Sequence, residues 1–160
     1  MKKILLNTVQ RTSPNYKKHC ALVSDKDFAK TNKYNWCILK CNHTLYAIAW
    51  INGKHIFMHN FIMGVGEVDH VKQNGLNNQR RNLRIVNRSQ NNMNRLPRKN
   101  CSSIYKGVSF SKANKKWHSY INYNHKRTNI GHYLTELEAG LAYNKMAKKI
   151  FGKYACLNKI

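Results

Sequence analysis

Residues 68–92 read VDHVKQNGLNNQRRNLRIVNRSQNN. One acid and one histidine, Asp69 and His70, stand side by side, followed by a run of asparagines and arginines. Asparagine is a poor helix former and a poor core residue. Two readings account for the crowding. Asn77 and Asn78 serve a turn by capping backbone groups, or the stretch is a metal site that works on a polyanion.

The totals favour a polyanionic partner. The 160 residues fit one ordinary domain or two small ones. They carry 29 Lys and Arg against 6 Asp and Glu, a formal charge of +23. Such an excess repels itself in a free globule and is rewarded by counterion release from nucleic acid. An apolar fraction of 42% is enough to build real cores, so the chain is not a basic tail. No apolar run approaches the roughly 20 residues of a membrane span. The opening MKKILLNTVQRT has too short an apolar run for a signal peptide. The expectation is therefore a cytoplasmic protein, neither secreted nor in a membrane. Five cysteines at irregular spacing argue for a reducing compartment and against a disulfide framework. Cys37, Cys41 and His43 are a possible start of a zinc site, but no second Cys/His pair stands at ligand spacing.

Six carboxylates can be placed one at a time. Ser24-Asp25-Lys26-Asp27 and Thr135-Glu136-Leu137-Glu138 each read as a capping box that opens a helix. That leaves Glu67 and Asp69, both at the entrance to the 68–92 stretch. Chemistry that needs two separated carboxylates, such as glycoside hydrolysis, has almost nothing to work with. Chemistry around one metal ion needs fewer acids.

Along the chain, residues 20–23 predict a strand and 25–33 a short helix. Residues 36–51 alternate apolar and polar, and Asn52-Gly53 signals a hairpin. KHIFMHNFIMG, 54–64, continues as a strand and then one helical turn. Residues 67–72 are extended, QNGLNNQ is turn-rich, and a helix begins near Asn87 or Arg88. LPRKNCSSI, 96–104, reads as linker. Beyond it come three short strands with basic turns and a helix opened by Thr135. Ala139, Ala142, Tyr143, Met146, Ala147, Ile150 and Phe151 share that helix's apolar face, and Gly152 stands at its end.

Cleaving a phosphodiester needs a proton acceptor for the attacking water, which a neutral imidazole supplies. It also needs charge neutralised on the phosphate and the leaving oxygen, which a divalent cation supplies. A hard cation that keeps several waters can be held by one carboxylate and one amide oxygen. The pattern VDH…NGLNNQRRNLR…SQNNMNR resembles the HNH (ββα-metal) nucleases, in particular homing endonucleases. The resemblance implies Asp69 and Asn91 as metal ligands, with Asn92 as the register alternative, and Mg2+ or Mn2+ as the ion. It implies His70 as general base and Asn82 as the amide that orients it. His59 matches an upstream histidine of these proteins, with packing and phosphate contact equally open. Arg80, Arg81, Arg84 and Arg88 are candidate phosphate contacts, each also readable as part of a solvated basic face.

YKGVSFSKANKKWHSYINYNHKRTNIGHY and the TELEAGLAYNKMAKKIFGKYACLN that follows it resemble the plant ethylene-response-factor (APETALA-two) DNA-binding domain. A small antiparallel sheet can lie in a major groove with its outward side chains on base edges and phosphates. The resemblance implies that Lys106, Lys112, Lys116, His118, Tyr120 and Arg127 face DNA, with Ser109, Ser111, Asn122 and Asn129. Trp117 reads as core.

The expected fold is α+β: an N-terminal HNH (ββα-metal) nuclease domain over 1–95, a linker over 96–102, and a three-stranded antiparallel sheet packed on one helix over 103–160. The expected activity is site-specific, metal-dependent hydrolysis of double-stranded DNA, nicking as a monomer with no obligatory protein partner. The alternative is a DNA-binding regulator whose nuclease domain is inactive.

Overall fold

The computed structural model describes residues 1–7, 19–41, 44–64, 66–97, 101–124 and 126–160. His43 and residues 98–100 of the expected linker lie outside them. The fold is mixed α+β, with four α-helices and four small sheets among the described residues. No helix among the described residues is long and apolar enough to cross a membrane. Two compact units divide the chain, Met1–Arg88 and Ser89–Ile160.

In the first unit, β1 (Lys2–Leu5) and β2 (Cys20–Val23) pair antiparallel. The two-residue β7 (Asn77–Asn78) adds to β2 in parallel, Val23 opposite Asn78. A second sheet is β3 (Cys37–Cys41), β4 (Thr44–Ile51) and β5 (Lys54–Phe57), all antiparallel. Asn52 and Gly53 turn β4 into β5 with φ of 50° and 74°. Two left-handed residues match the right-handed twist of the flanking strands, which is why Asn-Gly suits this position. β6 (Val68–His70) and β8 (Leu83–Ile85) form a two-stranded hairpin. Helices α1 (Asp25–Thr31) and α2 (Met58–Met63) close the core against Leu6, Val23, Trp36, Met58 and Ile62.

The Ser24 capping box does not form. Ser24 makes no side-chain cap on α1, and its Oγ accepts the Arg80 backbone N–H at 3.0 Å. Asp27 turns inward instead. Its carboxylate takes Arg80 Nε at 2.8 Å and Nη2 at 3.0 Å, with Lys30 Nζ at 3.3 Å. Arg80 also donates to the Ile62 carbonyl at the end of α2. A partner 53 residues away outbids the local cap, because a buried carboxylate needs a counter-charge more than a helix N-terminus needs an acceptor.

Helix α3 (Arg88–Met93) spans the boundary between the units. In the second unit, β9 (Val108–Ser111), β10 (Lys116–Tyr123) and β11 (Lys126–Tyr133) form an antiparallel sheet in the order β11-β10-β9, crossed by α4 (Glu136–Phe151). Ile121, Tyr143, Ala147 and Phe151 make the core, with Met93 and Met146 against them. Here the capping box does form: Thr135 Oγ1 accepts from Glu138 N, and Glu138 Oε2 accepts from Thr135 N. Glu136 is used elsewhere, accepting from Ser103 Oγ at 2.6 Å and Ile104 N at 3.0 Å. Gly107 has φ of +73°, and a Cβ there would stand 2.1 Å from the Tyr143 ring. That explains the glycine in Tyr-Lys-Gly-Val. Asn158 clasps both backbone groups of Lys106, and Asn144 clasps those of Asn158.

Candidate functional site

The site is built on the β6–β8 hairpin of the first unit. Asp69 lies opposite Arg84 and His70 opposite Leu83. Cross-strand partners share a face, and Arg84 grips Asp69 from there. Nε at 2.9 Å and Nη2 at 2.7 Å both meet Oδ2. Both side chains are largely buried, at 16% and 10% exposure, so the pair is screened little by solvent.

His70 is buried within the first unit. Its Nε2 lies 3.1 Å from Asn78 Oδ1. Asn78 Nδ2 points to the Gly75 carbonyl at 3.4 Å, which leaves Oδ1 to face the ring. An acceptor at Nε2 places the proton there and the lone pair on Nδ1. Asn78 is wholly buried because β7 pairs with β2. Tyr46 and His59 pack on the same imidazole, with ring centroids at 5.8 and 4.8 Å. Phe57 stacks on His59 at 5.3 Å. Gly75 lets the loop close over this group, since a Cβ there would come within 2.8 Å of both the Leu45 carbonyl and the Tyr46 ring.

Sequence reasoning gave the orienting role to Asn82. In the structure the Asn82 amide ties the loop's backbone: Oδ1 accepts from Lys72 N at 3.0 Å and Nδ2 donates to Asn77 O at 2.7 Å. The amide at the ring is that of Asn78, which the sequence marks only as part of a turn. Arg80 is held by Asp27 and Arg84 by Asp69, so both expected phosphate contacts carry internal ion pairs. Arg81 is exposed with Nε on Gln79 Oε1, and Arg88 is exposed. Asn91 is half-buried on the part of α3 that belongs to the second unit.

In the second unit, Lys112 and Lys116 are exposed as expected. Lys106 is not an outward residue. Its Nζ donates to the Met93 carbonyl at 2.6 Å, capping the end of α3, and burial pushes its pKa down to about 8. Alternation along β10 places His118, Tyr120 and Asn122 on one face and the buried Ser119 and Ile121 on the other. His118 stacks on His132 at 4.8 Å and meets Asn129 Oδ1 at 2.9 Å. The Arg127 guanidinium lies 4.0 Å from the Tyr120 ring centroid.

The donor chemistry limits which metal fits. Among the described residues, no three of His, Cys, Asp and Glu come together, and Cys37 and Cys41 belong to no such group. A structural zinc needs four nitrogen or sulfur donors. The one carboxylate of the hairpin, oriented by an arginine, is an oxygen donor of the kind that suits a hard cation keeping most of its waters.

Burial first, and then the neighbouring His70, push the His59 pKa down to about 3. Burial also lowers His70, opposed by the Asn78 hydrogen bond and by Asp69. For His59 the folded value lies below the unfolded value of about 6.5. The unfolded state therefore binds the extra proton. Stability is complete above pH ~6.5 and falls as the pH drops toward 3. Urea melts from pH 8 to pH 5 are expected to show a loss of about 1 kcal/mol per pH unit below 6.5. His59→Phe should flatten that slope.

Comparison with known proteins gives one relevant match. An uncharacterized HNH endonuclease, L560, of Acanthamoeba polyphaga mimivirus is 34% identical over 151 residues, covering 88% of this chain and 75% of that protein. No family model matches the chain, and no solved structure matches it.

Proposed function

The chain belongs to the HNH endonuclease family, and on that premise we propose that it is a metal-dependent DNA endonuclease with His70 as general base. The observation that carries the proposal is the buried imidazole of His70. Its Nε2 meets Asn78 Oδ1, a pairing that suits the tautomer with Nδ1 basic, and the adjacent Asp69 is oriented by arginine. The paired strands β6 and β8, with the short β7 between them in sequence, and the α3 segment that comes next in the chain cover the stretch that resembles the ββα-metal unit.

Water attacks phosphorus, His70 Nδ1 takes the proton, and the bond to the 3′-oxygen breaks. The resemblance to homing enzymes implies a 5′-phosphate and a 3′-hydroxyl. Asp69 is the residue of the hairpin that would hold Mg2+ or Mn2+. That ion, when bound, supplies charge neutralisation at the phosphate and the leaving oxygen. Asn78 prevents the imidazole from turning, and Arg84 prevents the Asp69 carboxylate from swinging away.

The second unit is proposed to bind double-stranded DNA through the outward face of its sheet, as the likeness to ethylene-response-factor domains implies. Lys112, Lys116, His118, Tyr120 and Arg127 are the contacts. A second DNA-binding unit on the same chain raises the local concentration of the first. One active site per chain favours nicking by a monomer; a double-strand cut would need two chains or two events.

The test is supercoiled plasmid with purified protein and Mg2+ or Mn2+. Open circles are expected, blocked by chelator and by Asp69→Ala, and sealed directly by DNA ligase. Salt-sensitive DNA binding with no metal-dependent cutting would instead support a regulator with an inactive nuclease.

A further inference from the structure

His118 and His132 face each other across β10 and β11, and their rings stack with centroids 4.8 Å apart and planes 14° apart. His118 Nε2 also lies 2.9 Å from Asn129 Oδ1. Asn129 and His132 are an odd number of residues apart, which on a regular strand sends two side chains to opposite faces. Here the register shifts: Ser119 pairs with Gly131 and Tyr120 with Asn129, so Ile130 has no partner on β10. Such a bulge re-aims the side chains beside it. Ile130 packs on the core, and Asn129 and His132 both meet His118 on the outward face. His118 is half-buried and His132 exposed.

The neighbours of the pair are cationic or neutral. Register and alternation put Ser109 of β9, Lys116, Tyr120 and Asn122 of β10, and Arg127 and Asn129 of β11 on the same face. Helix α4 packs on the other face, where Ile121 meets Tyr143, Ala147 and Phe151. The acidic side chains of the second unit are Glu136 and Glu138. Glu136 is taken by Ser103 and Ile104, and Glu138 by the Thr135 cap. Among the described residues, no carboxylate on this face balances a charged imidazole.

Imidazole is the side chain whose charge ordinarily changes between pH 5 and 8. On the bare face, a proton on the pair meets the like charges of Lys116 and Arg127. Under a bound duplex it meets phosphates instead, so the complex holds that proton more tightly than the free protein does. Protonation of His118 leaves its Asn129 bond intact, because Nε2 already donates there and the new proton goes to Nδ1.

We propose that the stacked His118–His132 pair couples DNA binding to proton uptake, so that this face holds duplex DNA more tightly as the solution is acidified. The proposal rests on the reading of this sheet as a DNA-binding surface, and the experiment separates the two.

The affinity of the full chain for a paired DNA duplex is measured by fluorescence anisotropy at constant ionic strength, with chelator present to prevent cutting. Wild type is expected to bind about three- to tenfold more tightly at about pH 6 than at about pH 7, the linkage of half a proton to one proton. The double variant His118→Gln/His132→Gln, checked by thermal melt, should lose most of that gain. His132→Gln alone removes an exposed ring, carries the test if the double variant does not fold, and should lose a clear part of the gain. His55→Gln, at an exposed histidine of the first unit, should keep all of it. Calorimetry in two buffers of different ionisation enthalpy reads the proton uptake directly, and it should shrink in the His118 and His132 variants alone. Wild-type binding that does not change with pH overturns the proposal and leaves the DNA-binding surface standing. So does a gain that persists in full in the double variant. If wild type binds no duplex at either pH, the proposal and the reading of the sheet as a DNA-binding surface fail together.

Discussion

His70→Ala is expected to reduce metal-dependent plasmid nicking by about 10²- to 10⁴-fold, the usual contribution of a positioned general base. DNA affinity should be unchanged, because the ring is buried and contributes no charge to the surface. Two further measurements separate lost chemistry from lost folding. The thermal melt of His70→Gln should stay close to wild type, since an amide can still meet Asn78. Added imidazole should restore part of the rate in His70→Ala if the cavity admits it. Asn78→Ala removes only the partner that fixes the tautomer, so its loss of rate should be smaller and its KM near that of wild type. A His70→Ala protein that nicks at the wild-type rate would sink the general-base assignment.

Arg80→Met is expected to lower stability by about 3 kcal/mol, at the lower end of what breaking a buried pair costs. Asp27 is almost fully buried, whereas Arg80 and Lys30 are partly exposed. Burial alone would raise the Asp27 carboxyl, yet hydrogen bonds and charge from Arg80 and Lys30 together hold it below the ordinary carboxylate value. Losing Arg80 leaves the carboxylate with Lys30 alone and removes one of the two donors on the Ile62 carbonyl, the other being Lys30 Nζ. For a unit of this size the melting temperature should fall by roughly 10–20 °C. A phosphate contact would behave otherwise: Arg80→Met would leave the melt unchanged and weaken DNA binding with a shallower salt dependence. Measuring both quantities on one variant decides between the two roles.

Much of the local structure was legible before the fold was known. Asn52-Gly53 forecast a turn because only two left-handed residues fit it. Thr135 and Glu138 forecast a capping box because both partners lie within one turn and nothing competes for them. The same reasoning failed at Ser24, where the pattern was equally good, because Asp27 has a better partner far along the chain. Lys106 was an outward contact on the family resemblance, yet its side chain turns back to the end of α3.

By itself, the sequence determined the strongly basic charge, most of the strands and helices, and the stretch on which the candidate chemistry lies; β1 (Lys2–Leu5) and the short β7 were not legible in it. Charge excess, hydrophobic period and turn chemistry are local quantities that survive in one dimension. Only the tertiary structure decided which of two nearly identical asparagines meets His70. That choice depends on β7 pairing with β2, strands more than fifty residues apart. It likewise decided that Arg80 and Arg84 are held by internal carboxylates, because a buried acid selects its counter-charge by proximity in space.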